Sequence, residues 1–98
     1  PAHEIAARQM HGGFGGIVSV QLAAGAEAAK HFVDHTQIFT LAESLGGVES
    51  LIEVPAAMTH ASVAGTTLQV PANLVRISVG IENADDLIAD LKQALDRI

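Results

Sequence analysis

The chain contains no cysteine. That excludes disulfides, thiol chemistry and cysteine-ligated zinc, and it fits a cytosolic protein. Cationic residues are scarce, with five Lys and Arg against eleven Asp and Glu, a formal net charge of −6. With no basic run, the chain lacks the footprint by which proteins hold nucleic acid or an anionic membrane surface. No apolar run approaches the roughly 20 residues that span a bilayer, and no basic segment precedes an apolar stretch as in a secretory signal. Charge is thin everywhere, at 16% of residues.

What is present is apolar. Hydrophobic residues are 49% of a 98-residue chain, enough to offset ordering entropy in one small domain. So much apolar character with so little charge leaves two readings. One face meets another domain or subunit, or the domain is simply rich in Ala and Val. Pro1 has no Met before it, as after removal of an initiator Met or after excision from a longer chain.

Periodicity gives the element order. Residues 1–10 read as a short helix, ended by Gly12, Gly13, Gly15 and Gly16. A β-branched strand follows at 17–22. Residues 25–36 read as a helix with Ala28, Ala29, Phe32 and Val33 on one face and Glu27, Lys30, His31, Asp34 and His35 opposite. Short strands are expected at 37–41 and 49–54, joined by a turn at 42–47. Pro55 ends the latter strand, a single helical turn is placed at 56–60, and 61–72 read as a polar loop. Residues 74–81 give the clearest strand, with Val75, Ile77, Val79 and Ile81 on one side and Arg76 and Ser78 on the other. The clearest helix is 84–98. Asn83 is its N-cap, with Asp86 in capping-box position, and Ala84, Leu87, Ile88, Leu91, Leu95 and Ile98 form its apolar stripe. Asp85, Asp86, Asp90, Lys92, Gln93 and Asp96 are expected to face water. The order predicts an α+β domain, with an open, about four-stranded, largely antiparallel sheet covered by helices on one face. Arg76 and Ser78 then sit on the other face.

Several candidate sites fail on spacing. HGGFGG precedes a strand, whereas a dinucleotide loop lies between strand and helix. Pro1 opens a helical segment, unlike a catalytic N-terminal proline. His31 and His35 stand at i, i+4 on one helix face, but no third ligand accompanies them, so they read as a solvated face and no metal site is expected. No serine sits in a nucleophile elbow.

Arg76 is different. It lies between Val75 and Ile77 in an apolar strand, and a guanidinium there needs a partner because an unpaired buried charge is very costly. The partner is an internal carboxylate (Glu43, Glu49 or Glu53) or an external anion, whose planar carboxylate its fork matches bidentately; simple exposure is the third possibility. The segment 41–51, LAESLGGVESL, carries adjacent glycines that let backbone amides approach a ligand, or that merely join two strands.

LAESLGGVESL, PAAMTHAS and LVRISVGIENADDLIADL occur in that order. Together they strongly resemble the C-terminal domain of the Cys/Met-metabolism enzymes that use pyridoxal phosphate (PLP), and within these the cystathionine gamma-synthase type. The resemblance covers essentially the whole chain. It departs in HGGFGG, which has one residue more than the family's usual Gly-rich turn.

The resemblance implies the small C-terminal domain of a fold-type I PLP enzyme over residues 1–98, with 1–11 the end of a helix leading in from a cofactor-binding domain. It implies that Arg76 binds the substrate α-carboxylate, that Ser44 and Leu45 lie against the cofactor-bound amino acid, and that Glu43 lies near the distal part of the substrate. Thr59 and His60 receive a supporting role.

The parent activity implied is γ-replacement on an O-acylated homoserine by cysteine. The alternatives are a cystathionine or methionine gamma-lyase, or a catalytically inert structural or dimerising fragment. The parent is expected to be a cytoplasmic homotetramer that holds PLP. The chain's two lysines, Lys30 and Lys92, are both on polar helix faces and outside the family's Ser-x-Thr-Lys setting. The isolated chain is therefore expected to be inactive and not to bind PLP.

Overall fold

A computed structural model describes residues 2–43, 46–58 and 70–98. The order is α1 (His3–Gln9), β1 (Ile17–Gln21), α2 (Ala26–Asp34), β2 (Thr40–Leu41), β3 (Leu51–Glu53), α3 (Pro55–Met58), β4 (Leu74–Ser78) and α4 (Ala84–Leu95). The strands form one open sheet in the order β1-β4-β3-β2. β4 pairs antiparallel with both β1 and β3, while β2 and β3 are parallel. The expected α+β class and the four-stranded, largely antiparallel sheet hold, with β2 and β3 the one parallel pair among the described strands.

Alternation in the strands divides the sheet's faces. Ile52, Val75 and Ile77 lie in one core with Ala29, Phe32 and Val33 of α2 and Leu87 and Ala94 of α4; Phe39 and Val54 complete it. The helices thus cover one face. The other carries a row that crosses three strands, in which Ser19 and Glu53 are the register partners of Arg76 on either side. α1 has no buried residue.

Pro55 opens α3 instead of only ending β3. A first-turn position suits proline, whose missing N–H would have no helical partner there. Asn83 caps α4 as expected, its Oδ1 accepting from the amides of Asp85 at 2.9 Å and Asp86 at 3.2 Å.

Two expectations need correction. β4 stops at Ser78, and Ile81 is 83% exposed. The chain leaves the ladder because Gly80 and Ile81 turn their amides to Ser50 Oγ and the Val48 carbonyl. In α4 the buried face is Leu87, Asp90 and Ala94, with Leu91 packed against it, whereas Ile88 is 63% exposed and Leu95 and Ile98 are also exposed. Asp90 was expected in water and is 4% exposed. Its carboxylate accepts from the amides of Gln37 and Ile38, both at 2.7 Å, from Phe39 at 3.1 Å, and from Gln93 Nε2 at 3.1 Å. Those bonds make burial of the charge tolerable, so the helix turns toward Asp90 and leaves Ile88 outside.

Candidate functional site

β4 is an interior strand, so Arg76 is held by hydrogen-bonded neighbours on both sides. Its side chain is 18% exposed and that of Glu53 only 2%, and Arg76 Nη2 pairs with Glu53 Oε1. Among the internal candidates the partner is therefore Glu53; Glu43 and Glu49 are exposed. The pair, made through Nη2, answers the cost of burying a lone guanidinium. Arg76 Nε has no hydrogen-bond partner among the described residues. A guanidinium has five N–H donors, so one carboxylate contact leaves capacity for a second anion.

The two motifs around Arg76 are far apart in sequence and joined in space. Ser78 lies two residues beyond Arg76 and so on the same sheet face. Its Oγ accepts from the Gly46 amide at 3.1 Å. Gly46 takes φ 109°, a turn conformation that glycine adopts without a Cβ penalty.

Further along, Glu82 Oε1 accepts from the Ser50 hydroxyl at 2.6 Å and Oε2 from the Ser50 amide at 3.0 Å. The Ser50 hydroxyl in turn accepts from the Gly80 amide at 2.8 Å, and the Ile81 amide donates to the Val48 carbonyl at 3.0 Å. The Ser50 hydroxyl, then its amide, hold the Glu82 carboxyl below its ordinary pKa. Gly80 permits this approach: a Cβ there would collide with the Val48 carbonyl oxygen and lie 2.7 Å from both Glu49 C and Glu82 Oε1.

Of the residues expected in the site, Arg76 occupies the polar sheet face, and Glu43 is exposed just after β2. Ser44, Leu45, Thr59 and His60 lie outside the described residues. His31 and His35 stack with ring centroids 6.2 Å apart, and His35 Nδ1 lies 2.6 Å from the His31 carbonyl. No metal-holding group of three or more His, Cys, Asp or Glu occurs among the described residues.

The sequence reading missed Glu82 as the tie between the two motifs. Its signal was the glycine two positions earlier, which marks close backbone approach. It also missed Asp90, whose signal was an acid at i+3 from Leu87 within the apolar stripe.

Among the described residues, no lysine lies where it could hold PLP as a Schiff base beside Arg76. Lys30 is exposed on α2 and pairs with Glu27 at 3.6 Å, and Lys92 is exposed on α4. Both helices cover the sheet face opposite Arg76. No lysine of this chain shares a face with the guanidinium.

Residues 1–96 match the family described as Cys/Met metabolism PLP-dependent enzyme. The cystathionine gamma-synthase of Mycobacterium leprae is 64% identical over 96 residues, 98% of this chain and 24% of that protein. A cystathionine beta-lyase of Lactococcus lactis subsp. cremoris is 51% identical over 100 residues, 99% of this chain and 26% of that protein. Among solved structures, metB from Corynebacterium glutamicum superposes with TM-score 0.91 at 60% identity, covering 99% of this chain and 25% of that one. The cystathionine gamma synthase of Xanthomonas oryzae pv. oryzae, solved with aminoacrylate and cysteine, gives TM-score 0.81 at 49% identity, covering 99% of this chain and 26% of that one. The chain spans about a quarter of the length of these relatives. Sequence match and structural superposition agree, and the chain belongs to the Cys/Met-metabolism family of PLP-dependent enzymes.

Proposed function

We propose that the chain is the substrate-recognising, C-terminal domain of a longer transsulfuration enzyme, and that Arg76 binds the α-carboxylate of its amino-acid substrate. The observation that carries this is the guanidinium on the polar sheet face, paired to Glu53 through Nη2 and with Nε unpartnered among the described residues. A substrate carboxylate meets a donor already desolvated and oriented, which is where charge-assisted hydrogen bonds are strong. Glu53 holds the guanidinium in the absence of substrate and keeps its burial tolerable.

In this reading Ser44 and Leu45 lie against the bound amino acid, and Glu43 lies toward its distal end. PLP, held by the remainder of the enzyme, would supply the electron sink. This chain supplies recognition. The exposed α1, with no buried residue of its own, fits a segment that leads in from the cofactor-holding part. The parent activity we propose is γ-replacement on an O-acylated homoserine by cysteine, supported by 64% identity to the M. leprae cystathionine gamma-synthase. Lyase activity on cystathionine is the second reading, favoured by 51% identity to a cystathionine beta-lyase over the same span. One carboxylate site serves both. We further propose a cytoplasmic, homotetrameric parent; no described helix is long and apolar enough to cross a membrane.

The test is Arg76→Ala in the full-length enzyme. It is expected to cost on the order of 2–5 kcal/mol in kcat/KM, the range for truncating one partner of a buried charge pair, while cofactor absorbance is retained. Unchanged kinetics would remove Arg76 from the site.

A further inference from the structure

We infer that Glu82 is a positioning residue of the substrate site: through Ser50 it fixes segment 46–50 against the strand that carries Arg76, and so sets how the amino-acid substrate fits. The inference rests on the carboxylate reading of Arg76 given above. Glu82 lies between β4 and α4, outside any ladder or helix. Its two carboxylate oxygens take both donors of Ser50, amide and hydroxyl. The same hydroxyl accepts from Gly80, so its single proton is committed to Glu82 and the three residues close a ring. Ser50 is 1% exposed, which shields the ring from competing water.

The ring does more than close a turn. Segment 46–50 is tied to the end of β4 at three further points: Gly46 to Ser78 Oγ, the Val48 carbonyl to the Ile81 amide, and the close approach of Gly80 to Val48 and Glu49. All lie within six residues of Arg76 along the chain. Ser44 and Leu45, the proposed substrate neighbours, directly precede Gly46 in sequence. A slip of segment 46–50 therefore changes the spacing between the guanidinium and the residues meant to face it across the substrate. Glu82 touches no reacting atom in this scheme and acts through Ser50.

The experiment uses the full-length holoenzyme, assayed with an O-acylated homoserine and with cystathionine. Glu82→Ala is expected to raise KM and lower kcat/KM between about tenfold and a hundredfold, the scale of a small misplacement of a binding group, with cofactor absorbance unchanged. Glu82→Gln recovers part of the loss, since its amide oxygen still accepts from the Ser50 amide; it carries the test if Glu82→Ala does not fold. Ser50→Ala gives a smaller loss, and the double variant is no worse than Glu82→Ala alone, as for two residues acting as one unit. Asp90→Asn serves as a control that lowers Tm and leaves KM at the wild-type value.

A wild-type KM in both Glu82 variants, with Tm lowered as in the control, overturns the inference, and so do additive losses with Ser50→Ala. Wild-type kinetics in Arg76→Ala sinks the carboxylate reading itself, whereas a loss at Arg76 beside an unmoved KM at Glu82 sinks only the role of Glu82.

Discussion

Asp90 shows how one residue can reverse an inference from pattern. An acid in a helix that also carries Asp85, Asp86 and Asp96 reads as solvated. It is instead the clamp that holds the approach to β2 against α4, through three consecutive amides of residues 37–39. Burial alone pulls its carboxyl upward, but the Gln37, Phe39 and Ile38 amides with the Gln93 side chain outweigh that, so its pKa lies below the ordinary 3.8. A carboxyl whose folded pKa is lowered stabilises the fold above its unfolded value, and that contribution fades as pH falls through the lowered value. Asp90→Asn puts an N–H₂ group against backbone donors and is expected to cost about 1–3 kcal/mol near neutral pH. Hydrogen exchange at the amides of Gln37, Ile38 and Phe39 in the full-length enzyme checks it: exchange quickens in the variant at neutral pH, and the gap from wild type narrows below about pH 4. An equal gap at both pH values would show that charge is not what the clamp uses.

At the scale of elements, β4 and the turn between it and α4 carry the proposed site. Alternation placed Arg76 and Ser78 on one face correctly, because period two is a property of the strand itself. It carried the strand too far, to Ile81, because alternation in sequence does not reveal where a neighbouring loop takes over the hydrogen bonds. Gly80 marks that exchange. Gly80→Ala drives a Cβ into the Val48 carbonyl and toward Glu49 C. Both are backbone atoms, which cannot rotate aside. The expected cost is about 1–3 kcal/mol or more, read as a lower Tm of the full-length enzyme. Ser50→Ala, which removes only a side chain, should not relieve it; relief would place the clash in the Glu82 ring instead.

The molecule as a whole exposes apolar surface that its own core does not use. All of β1 is exposed, including Ile17 at 41%, Val18 at 45% and Val20 at 36%, and Phe14 is exposed just before it. Both faces of an edge strand and the outer side of α4 are therefore left with apolar side chains. A chain that spans about a quarter of its relatives is expected to cover part of this surface within a longer protein. The 98-residue chain by itself is then expected to bind a hydrophobic dye such as ANS, and the longer enzyme proposed above to bind markedly less per domain. Equal binding would assign the apolar content to ordinary Ala- and Val-rich composition.

Three ordered motifs carried the resemblance to the family; apart from that, sequence alone determined the α+β class, the order of the elements, the cap at Asn83 and the choice of Arg76 as the residue needing a partner. These are local or pairwise properties: periodicity, capping, and the cost of placing a charge between Val75 and Ile77. Tertiary structure decided that the partner is Glu53, that Asp90 goes inside, and that Glu82 ties two motifs more than 30 positions apart in sequence. Each depends on which backbone donors and which carboxylates the fold brings within hydrogen-bond reach. No periodicity along the chain encodes that distance.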